Sequence, residues 1–491
     1  MNNPKNDRLT SGIAGLDRVL NGGLLQQRSY IVRGGPGSGK TTLGLHFLTA
    51  DSDTRSLFVS MGEDEQQLRV DASRQGFKLD TVSIVDFSPS DVSIDDAEPY
   101  SIMSPEDVED PGLPKRIRKA FEAIRPQRIF IDSLTYLHYF SPDAFQYRKQ
   151  VITLLRYLTG QGATVICAAE DANSGKDSEE LGFLADGVIE LEHKDSKRSL
   201  EITKFRGSGF ASGQHSIRLG PGGMYCFPRL EPGDHGIRFD QLDMPSGIPE
   251  LDRQLKGGLS RGTVTILSGP TGVGKTSLGI QFMKTACEEG KRTVVYTFEE
   301  LTSTLISRVE GINMPLSKLM ESGAFAIEAI EPLHYSADEF AARVCEEVEE
   351  RGTRLIMIDS LAGYKLSIGG DSVTRRLHAL CRYLVNMGVT VILLNEVETI
   401  TGGDVKTTEM GVSYLADTII LLRYMERAGE IRKTIGVLKK RTGDFEKSLR
   451  EFDITPGGIK VGGELKGLRG ILRGEPEPEP ESDTTIGDAR E

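Results

Sequence analysis

The chain contains the same sequence pattern twice, and this repetition constrains its fold more than any other feature. The segment GIAGLDRVLNGGL at 12–24 returns as GIPELDRQLKGGL at 247–259, and GGPGSGKTTLG at 34–44 returns as GPTGVGKTSLG at 269–279. Both pairs are separated by 235 positions. An internal repeat of this length indicates two domains of one fold. The 491 residues require at least two domains in any case, because a single hydrophobic core does not extend over so long a chain.

Each copy alternates short β-branched runs with amphipathic helical patterns. Near-continuous apolar strands separated by helices are typical of a parallel sheet that is covered on both faces. We therefore predict the α/β class, with two tandem domains that each contain a mostly parallel sheet between helices. We place the first domain at 1–235, the second at 236–472, and an acidic tail without apolar content, expected to be disordered, at 473–491.

Composition limits the classes of partner. No run of 18 apolar residues is present, so no transmembrane helix is expected, and the first residues lack the apolar core of a signal peptide. The five cysteines are scattered and favour reduced thiols in a cytoplasmic protein. A net charge of −13 lacks the basic excess of nonspecific nucleic-acid binding. We therefore expect neither a membrane nor a nucleic acid as partner.

Two glycine-rich segments match the phosphate-binding loop G-x4-G-K-[ST], and each follows a predicted strand and opens a predicted helix. Glycines let backbone N–H groups turn towards phosphate oxygens, and the helix N-terminus adds partial positive charge. The residues that we expect to contact ATP are Gly35, Pro36, Gly37, Ser38, Gly39, Lys40, Thr41, Thr42, Pro270, Thr271, Gly272, Val273, Gly274, Lys275, Thr276 and Ser277.

An aspartate ends an apolar strand in each copy, downstream of the phosphate-binding loop. Asp132 ends RIFID and Asp359 ends LIMID. A strand-terminal aspartate alone is often a helix cap, but in combination with the loop threonine it suits a bound Mg²⁺. We predict that Thr41 and Asp132 hold Mg²⁺ in the first domain, and that Thr276 and Asp359 hold it in the second.

In each copy one further strand is predicted between the phosphate-binding loop and the strand-terminal aspartate, and glutamates follow the end of that strand. Glu299 and Glu300 stand together in the second copy, whereas the first has Gly62 and Glu63. A carboxylate here can polarise the water that attacks the γ-phosphate. We predict that both domains bind ATP and that the first hydrolyses it more slowly, or through Glu63 alone. The loss at Gly62 indicates a division of labour between the domains, with drift without consequence as the alternative.

A Lys-x-Arg pair recurs at the repeat offset, as Lys204 with Arg206 and Lys439 with Arg441. Since side chains alternate along a strand, both members of a pair point to one face. Two cations that project together suit the charge developing on a γ-phosphate, and cations of this kind are often supplied by a neighbouring subunit. The alternative is a solvated basic edge. We predict catalytic fingers that act between subunits of a ring.

The tandem loops, FEE at 298–300, the two IDSL segments and ADTIILLRYMERAGEIRKTIGVLKKR at 416–441 resemble the KaiC-like family of the RecA superfamily. The resemblance extends over about residues 8–474. It implies two RecA-like P-loop domains, a hexamer with ATP at subunit interfaces, slow ATPase activity in the N-terminal ring and serine/threonine autokinase activity in the C-terminal ring. It also implies that Glu63, Glu299 and Glu300 match catalytic glutamates, and that Kai-type or signalling proteins are possible partners.

The family's phosphoacceptors are hydroxyl residues just before the strand DTIILL. By that likeness Ser413 matches the acceptor serine, Tyr414 stands where a threonine is usual, and Thr408 matches a neighbouring threonine. The alternative is that the two residues before the strand only pack at an interface. The short acidic tail and the differing loop at 88–114 favour a KaiC-like signalling ATPase over a true circadian clock.

Two other functions share this core. One is a RecA- or DnaB-like DNA-dependent ATPase, which stimulation of turnover by single-stranded DNA would support. The other is a nucleotide-sensing scaffold without kinase activity, which turnover of the Lys40→Ala and Lys275→Ala variants would distinguish from an enzyme.

Overall fold

A computed structural model describes most of the chain as two compact units, Met1–Arg229 and Leu230–Glu491. The described residues are 7–87, 112–139, 143–170, 182–194, 197–368, 373–397, 414–427, 429–471 and 477–478.

The first unit is built from strands that alternate with helices. Its strands are β1 Arg8–Leu9, β2 Leu24–Leu25, β3 Ser29–Gly34, β4 Ser56–Ser60, β5 Val82–Asp86, β6 Arg128–Asp132, β7 Thr164–Ala169, β8 Gly187–Lys194, β9 Lys197–Phe205, β10 His215–Gly220 and β11 Gly223–Phe227. Its helices are α1 Ala14–Val19, α2 Lys40–Thr49, α3 Glu65–Arg74, α4 Gly112–Ile124, α5 Thr135–Tyr139 and α6 Ala144–Gly160.

The second unit largely repeats this order after a short 3-10 helix, Pro232–Asp234, with a second helix before its fifth strand and two further strands at its end. Its strands are β12 Asp243–Met244, β13 Leu259–Ser260, β14 Val264–Gly269, β15 Thr293–Thr297, β16 Phe325–Ala329, β17 Leu355–Asp359, β18 Thr390–Glu396, β19 Thr418–Arg427, β20 Glu430–Lys440, β21 Arg450–Thr455, β22 Gly458–Glu464, β23 Leu468–Arg469 and β24 Glu477–Pro478. Its helices are α7 Pro249–Gln254, α8 Lys275–Glu288, α9 Thr302–Glu310, α10 Ser317–Glu321, α11 Ala337–Glu349, α12 Leu361–Ile368 and α13 Val373–Asn386.

Each unit contains a nine-stranded sheet of the same topology. The order is β11-β10-β9-β8-β3-β7-β6-β4-β5 in the first and β22-β21-β20-β19-β14-β18-β17-β15-β16 in the second. In the first sheet the six neighbouring strands β8, β3, β7, β6, β4 and β5 are parallel, and β9, β10 and β11 pair antiparallel on the side of β8. In the second sheet β19, β14, β18, β17, β15 and β16 are parallel, and β20, β21 and β22 pair antiparallel on the side of β19. The predicted α/β class with two tandem, mostly parallel sheets is confirmed.

Neighbouring residues of the central strands pack on opposite faces of each sheet. In the first unit Val32 joins an apolar cluster with α1, α2 and α3, while Ile31 joins a second cluster with α4, α5 and α6. In the second unit Leu267 packs with α7 to α10 and Ile266 packs with α11 to α13. Burial on both faces is why these strands are apolar throughout. Within the described ranges, no helix is both long and apolar enough to cross a membrane.

Candidate nucleotide site

Parallel strands bring the predicted site residues to one edge of each sheet. In the first unit Ser60 at the end of β4 pairs with Asp132 at the end of β6, and one strand separates β6 from β3, where the glycine loop begins. In the second unit Thr297 pairs with Asp359 in the same way. The carboxyl edge of a parallel sheet is where ligands of open α/β folds bind.

The glycine loops have a backbone that other residues adopt poorly. Gly37 and Gly272 have φ of 71° and 74°, and Gly39 and Gly274 have φ of 103° and 115°. A Cβ atom added at Gly274 would also lie 2.5 Å from the Cδ1 atom of Ile454. The left-handed backbone turns the loop sharply into the start of α2 or α8, whose first N–H groups have no partner within the helix. This cradle suits a phosphate.

The loop lysines already point back over the loop. The Nζ atom of Lys40 donates to the carbonyl oxygens of Gly34 at 2.6 Å and Gly35 at 3.1 Å. Lys275 donates to the two equivalent carbonyls at 2.8 and 2.9 Å. Burial lowers the pKa of Lys275. The side chains of Ser38 and Val273 are buried, so these two residues can offer a phosphate only their backbone.

The threonine and aspartate predicted to hold Mg²⁺ lie in contact in both units. Thr41 Oγ1 donates to Asp132 Oδ2 at 2.6 Å, and Thr276 Oγ1 donates to Asp359 Oδ2 at 2.9 Å. Burial raises the pKa of Asp132. Burial, with a contribution from the negative charge of Glu299, raises the pKa of Asp359 to about 6. A hydroxyl and a carboxylate are oxygen donors of the kind that Mg²⁺ prefers, so these residues fit the ion.

The two adjacent glutamates of the second unit have different partners. Glu299 accepts a hydrogen bond from the Oγ atom of Ser360, the residue after the strand-terminal aspartate. It is exposed, and its charge acts on Lys275. Glu300 instead forms an ion pair with Arg308 of α9 at 2.7 Å. Of the two glutamates, Glu299 lies beside the residue that follows the strand-terminal aspartate, and it forms no ion pair with another described residue.

Glu63 of the first unit occupies the backbone position of Glu300. The Ser60 hydroxyl donates to the Glu63 carbonyl at 2.5 Å and accepts its N–H at 3.3 Å, as the Thr297 hydroxyl does with Glu300 at 3.1 and 3.2 Å. By the same offset, Asp71 stands where the second unit has Arg308. Glu63 thus lacks the ion pair of its counterpart. Burial and the charges of Asp132, Asp71 and Asp64 raise the pKa of Glu63.

The Lys-x-Arg pairs lie towards the opposite end of the sheet from the loop of their own domain. Gly34 pairs with Leu191 of β8, whereas Lys204 of β9 pairs with Val188, nearer the start of that strand. This offset corresponds to about 10 Å along the strand, and β8 also separates β9 from β3. The ammonium group of Lys204 donates to two backbone carbonyls at 2.9 and 3.1 Å, neither of them in the glycine loop.

The second unit repeats this arrangement. Lys439 pairs with Ile419 at the start of β19 and donates to the carbonyl of Ala416 at 2.6 Å. Arg441 is exposed and 3.8 Å from Asp417. In both units burial and the positive charge of the neighbouring arginine lower the pKa of the lysine.

The residue between the two cations points to the other face, as strand alternation predicts. In the first unit Phe205 stacks on Tyr30, with ring centroids 5.8 Å apart. In the second unit Lys440 is buried and donates to the carbonyl of Gly258 at 3.2 Å. Because side chains alternate along the strand, the lysine and the arginine of each pair project from the same face of the sheet.

The predicted phosphoacceptors Ser413 and Thr408 lie outside the described residues, as do 473–476 and 479–491 of the predicted tail. Tyr414 is the first described residue before β19. It is 53% exposed, and its ring packs edge-on against His378 with centroids 5.7 Å apart.

Three polar residues near the site were not among the predicted ones: Ser360, which binds Glu299, Arg308, which binds Glu300, and Arg198, whose Nε atom donates to the loop carbonyl of Gly37 at 3.1 Å. The serine carried a usable signal, since IDSL is present in both copies. The arginines carried none, because neither recurs in the other copy.

Comparison with known proteins gives one consistent result. The family model described as the KaiC ATPase matches residues 9–231 and 244–466, which together form most of the chain. The circadian clock oscillator protein KaiC of Parasynechococcus marenigrum is 26% identical over 489 residues, covering 96% of this chain and 93% of that protein. The circadian clock protein KaiC3 of Synechocystis sp. is 27% identical over 490 residues, with 96% and 94% covered. KaiC of Synechococcus elongatus is 26% identical, with 96% and 92% covered.

Proposed function

The chain belongs to the KaiC family of ATPases, and from this premise we propose that it works as a hexameric ring that binds and hydrolyses Mg²⁺-ATP at subunit interfaces in both domains. The C-terminal domain is in addition a serine/threonine autokinase. The protein acts in signalling or timing in the cytoplasm. The observation that carries the proposal is the place of the Lys-x-Arg pairs: Lys204 and Lys439 pair with residues near the start of β8 and β19, whereas the phosphate loops begin where the neighbouring parallel strands end.

Cations placed in this way favour action on a neighbouring subunit. Lys439 and Arg441 lie towards the opposite end of the sheet from the loop that begins at Gly269. Arg441 is exposed, and its guanidinium group is 3.8 Å from the carboxylate of Asp417. A head-to-tail contact, in which one subunit's far edge meets the next subunit's loop, closes into a ring. In such a contact the cations stabilise charge on the γ-phosphate of the neighbour's nucleotide.

The remaining roles follow from the contacts within each domain. The loop backbone and Lys40 or Lys275 bind the phosphates, while the Thr41–Asp132 and Thr276–Asp359 pairs hold Mg²⁺, which when bound neutralises phosphate charge. Glu299 in the second domain and Glu63 in the first accept the proton of the attacking group.

The autokinase activity is supported by the position of hydroxyl residues just before β19. The curated relatives are named as circadian clock proteins, and by that likeness Ser413 is the first candidate acceptor and Thr408 the second, with Kai-type or signalling proteins as possible partners. A hydroxyl acceptor must be placed in line with the γ-phosphate.

Incubation with Mg²⁺-ATP followed by mass mapping and sizing tests this function. We expect a hexamer that forms with nucleotide, and one phosphate at Ser413 that is absent from Ser413→Ala and from Lys275→Ala. A hexamer that turns over ATP without gaining phosphate would remove the kinase activity alone. A protein that stays a single subunit in saturating nucleotide would contradict the ring.

The adjacent glutamates are expected to differ in their effect on turnover. Glu299→Gln should lower turnover at the second site by about 10²–10⁴-fold, the usual contribution of a general base. Glu300→Gln should cost far less, because Glu300 is paired with Arg308. In the first domain Glu63→Gln should produce the large loss. Steady-state ATP turnover measures these effects, with Glu65→Gln on α3 as the control.

Each rate is measured with the other site disabled by Lys40→Ala or Lys275→Ala. Equal losses of turnover for the Glu299 and Glu300 variants would show that the ion pair between Glu300 and Arg308 does not decide which glutamate acts as the general base. A Glu63→Gln variant with an unchanged first-site rate would exclude Glu63 as the base.

Acid should weaken Mg²⁺-ATP binding at the second site. The pKa of Asp359 is raised to about 6, so its carboxyl group is neutral below that pH and loses the charge that holds a cation. We expect affinity to fall by up to about tenfold per pH unit below pH 6. Fluorescent-nucleotide titration of the Lys40→Ala protein, with and without Asp359→Asn, separates this effect from protonation of ATP itself. Parallel pH profiles for the two proteins would contradict the prediction.

A further inference from the structure

Gly62 and Tyr136 of the first domain correspond to Glu299 and Gly363 of the second. The residue before Gly62 donates its N–H to the carbonyl of Asp132 at 2.8 Å, and the residue before Glu299 donates to Asp359 at the same distance. Tyr136 and Gly363 are each the fourth residue after the strand-terminal aspartate. The positions are therefore equivalent, although the residue types are exchanged.

The exchange is sterically reciprocal. A Cβ atom added to Gly62 would lie 3.0 Å from the Tyr136 hydroxyl oxygen and 3.4 Å from the ring. A Cβ atom added to Gly363 would lie 2.8 Å from Phe298 Cβ, 3.0 Å from Glu299 Oε1 and 3.1 Å from Glu299 Cγ. Each domain therefore places one large polar side chain at this point, and a glycine faces it. In the second domain the polar group is a carboxylate, and in the first it is a phenol.

We propose that Tyr136 takes the place of the missing carboxylate as the residue that positions the attacking water at the first site. A phenol hydroxyl can donate one hydrogen bond and accept others, so it can orient a water molecule. It lacks the negative charge that makes a carboxylate a proton acceptor. The inference rests on the proposed ATP hydrolysis in the first domain and names how that site works.

Glu63 then completes the chemical step. The water oxygen forms a bond to the γ-phosphorus, the bond from that phosphorus to the bridging oxygen breaks with its electron pair leaving on ADP, and the water's proton passes to Glu63. The Glu63 carboxylate has no ion pair among the described residues, whereas its counterpart Glu300 is held by Arg308. The two functions of orienting water and accepting its proton are thus divided between two side chains in the first domain.

A substitution that keeps the ring tests the hydroxyl itself. In the full chain carrying Lys275→Ala, which leaves only the first site, Tyr136→Phe should lower kcat by about three- to tenfold, the value of one hydrogen bond. The dissociation constant for ATP should change less than about twofold, since the ring still fills the space. A purely structural role would leave kcat unchanged, and that result would overturn the proposal.

A second pair of variants rebuilds the layout of the second domain. Gly62→Glu alone should lower kcat, because the new side chain meets Tyr136. Combined with Tyr136→Gly, the same Gly62→Glu change should instead raise kcat above that of Tyr136→Gly. An equal effect of Gly62→Glu in both backgrounds would overturn the reciprocal exchange.

Different results would contradict this inference and the proposed function. If the Lys275→Ala parent binds nucleotide without turnover while the Lys40→Ala protein hydrolyses it, hydrolysis in the first domain is wrong. If the parent turns over and Tyr136→Phe matches it, only the role of Tyr136 is wrong.

Discussion

Alanine at both Lys439 and Arg441 is expected to lower ATP turnover at the second site by on the order of 10³-fold or more, which is the contribution of cationic fingers in related chemistry. Arg441 is exposed and Lys439 is half-buried, and burial with mutual repulsion already lowers the pKa of the lysine. Two cations held this close favour a site that receives several negative charges. The measurement is steady-state turnover in the Lys40→Ala background, with ADP affinity determined in parallel.

The matched control is Arg432→Ala. Arg432 lies on the same strand, is exposed, and forms an ion pair with Glu430, its one ionic partner in the described part of the chain, so we expect turnover within a few-fold of the parent protein. A loss of turnover with unchanged ADP affinity supports a role on the γ-phosphate. Wild-type turnover in the double-alanine protein would make the pair a solvated basic edge.

Alanine at Lys275 is expected to weaken nucleotide binding at the second site by about 100-fold and to leave the first site intact. Lys275 is held over its loop by two hydrogen bonds of 2.8 and 2.9 Å. The lysine side chain therefore loses little conformational freedom when phosphate binds. Loss of one partner of a buried, hydrogen-bonded charge pair costs about 2–5 kcal/mol, and each 1.4 kcal/mol corresponds to about a tenfold change in affinity. Isothermal titration should give two tight sites per wild-type chain and one in the variant.

Lys40→Ala should give the mirror result, with the second site retained. Lys284→Ala is the control, because Lys284 is on the same helix as Lys275 and pairs with Glu288 at 2.8 Å, one turn further along that helix. Two intact sites in the Lys275→Ala protein would contradict the assignment of its loop to phosphate binding.

The fold and the meeting of Thr41 with Asp132 follow from local patterns. A repeat of glycine loop, apolar strand and terminal aspartate predicts which strand ends meet, because parallel strands align their carboxyl ends. Which of Glu299 and Glu300 faces the nucleotide could not be predicted. That choice depends on Arg308 and Ser360, and a serine 61 positions from its partner leaves no periodic signal.

The meaning of the missing carboxylate at Gly62 could also not be predicted from the sequence. In the sequence it is a single departure from a repeat, compatible with drift. In the structure the departure is matched by a second one at Tyr136, whose hydroxyl would lie 3.0 Å from a Cβ atom at Gly62. Two coordinated exchanges across one contact favour a division of labour between the domains. The link between 62 and 136 is a spatial one and could be found only from the fold.

Mixing two proteins that are each inactive at the second site tests most directly whether that nucleotide site is completed by a neighbouring subunit. Lys275→Ala has intact fingers and a disabled loop, and the Lys439→Ala/Arg441→Ala protein has the reverse. In rings assembled from equal amounts of both, head-to-tail contacts predict that roughly one quarter of second sites become complete. Turnover should rise above the mean of the separate proteins to about that fraction of the wild-type second-site rate. A mixture that equals this mean at every ratio would show that loop and fingers do not meet between subunits.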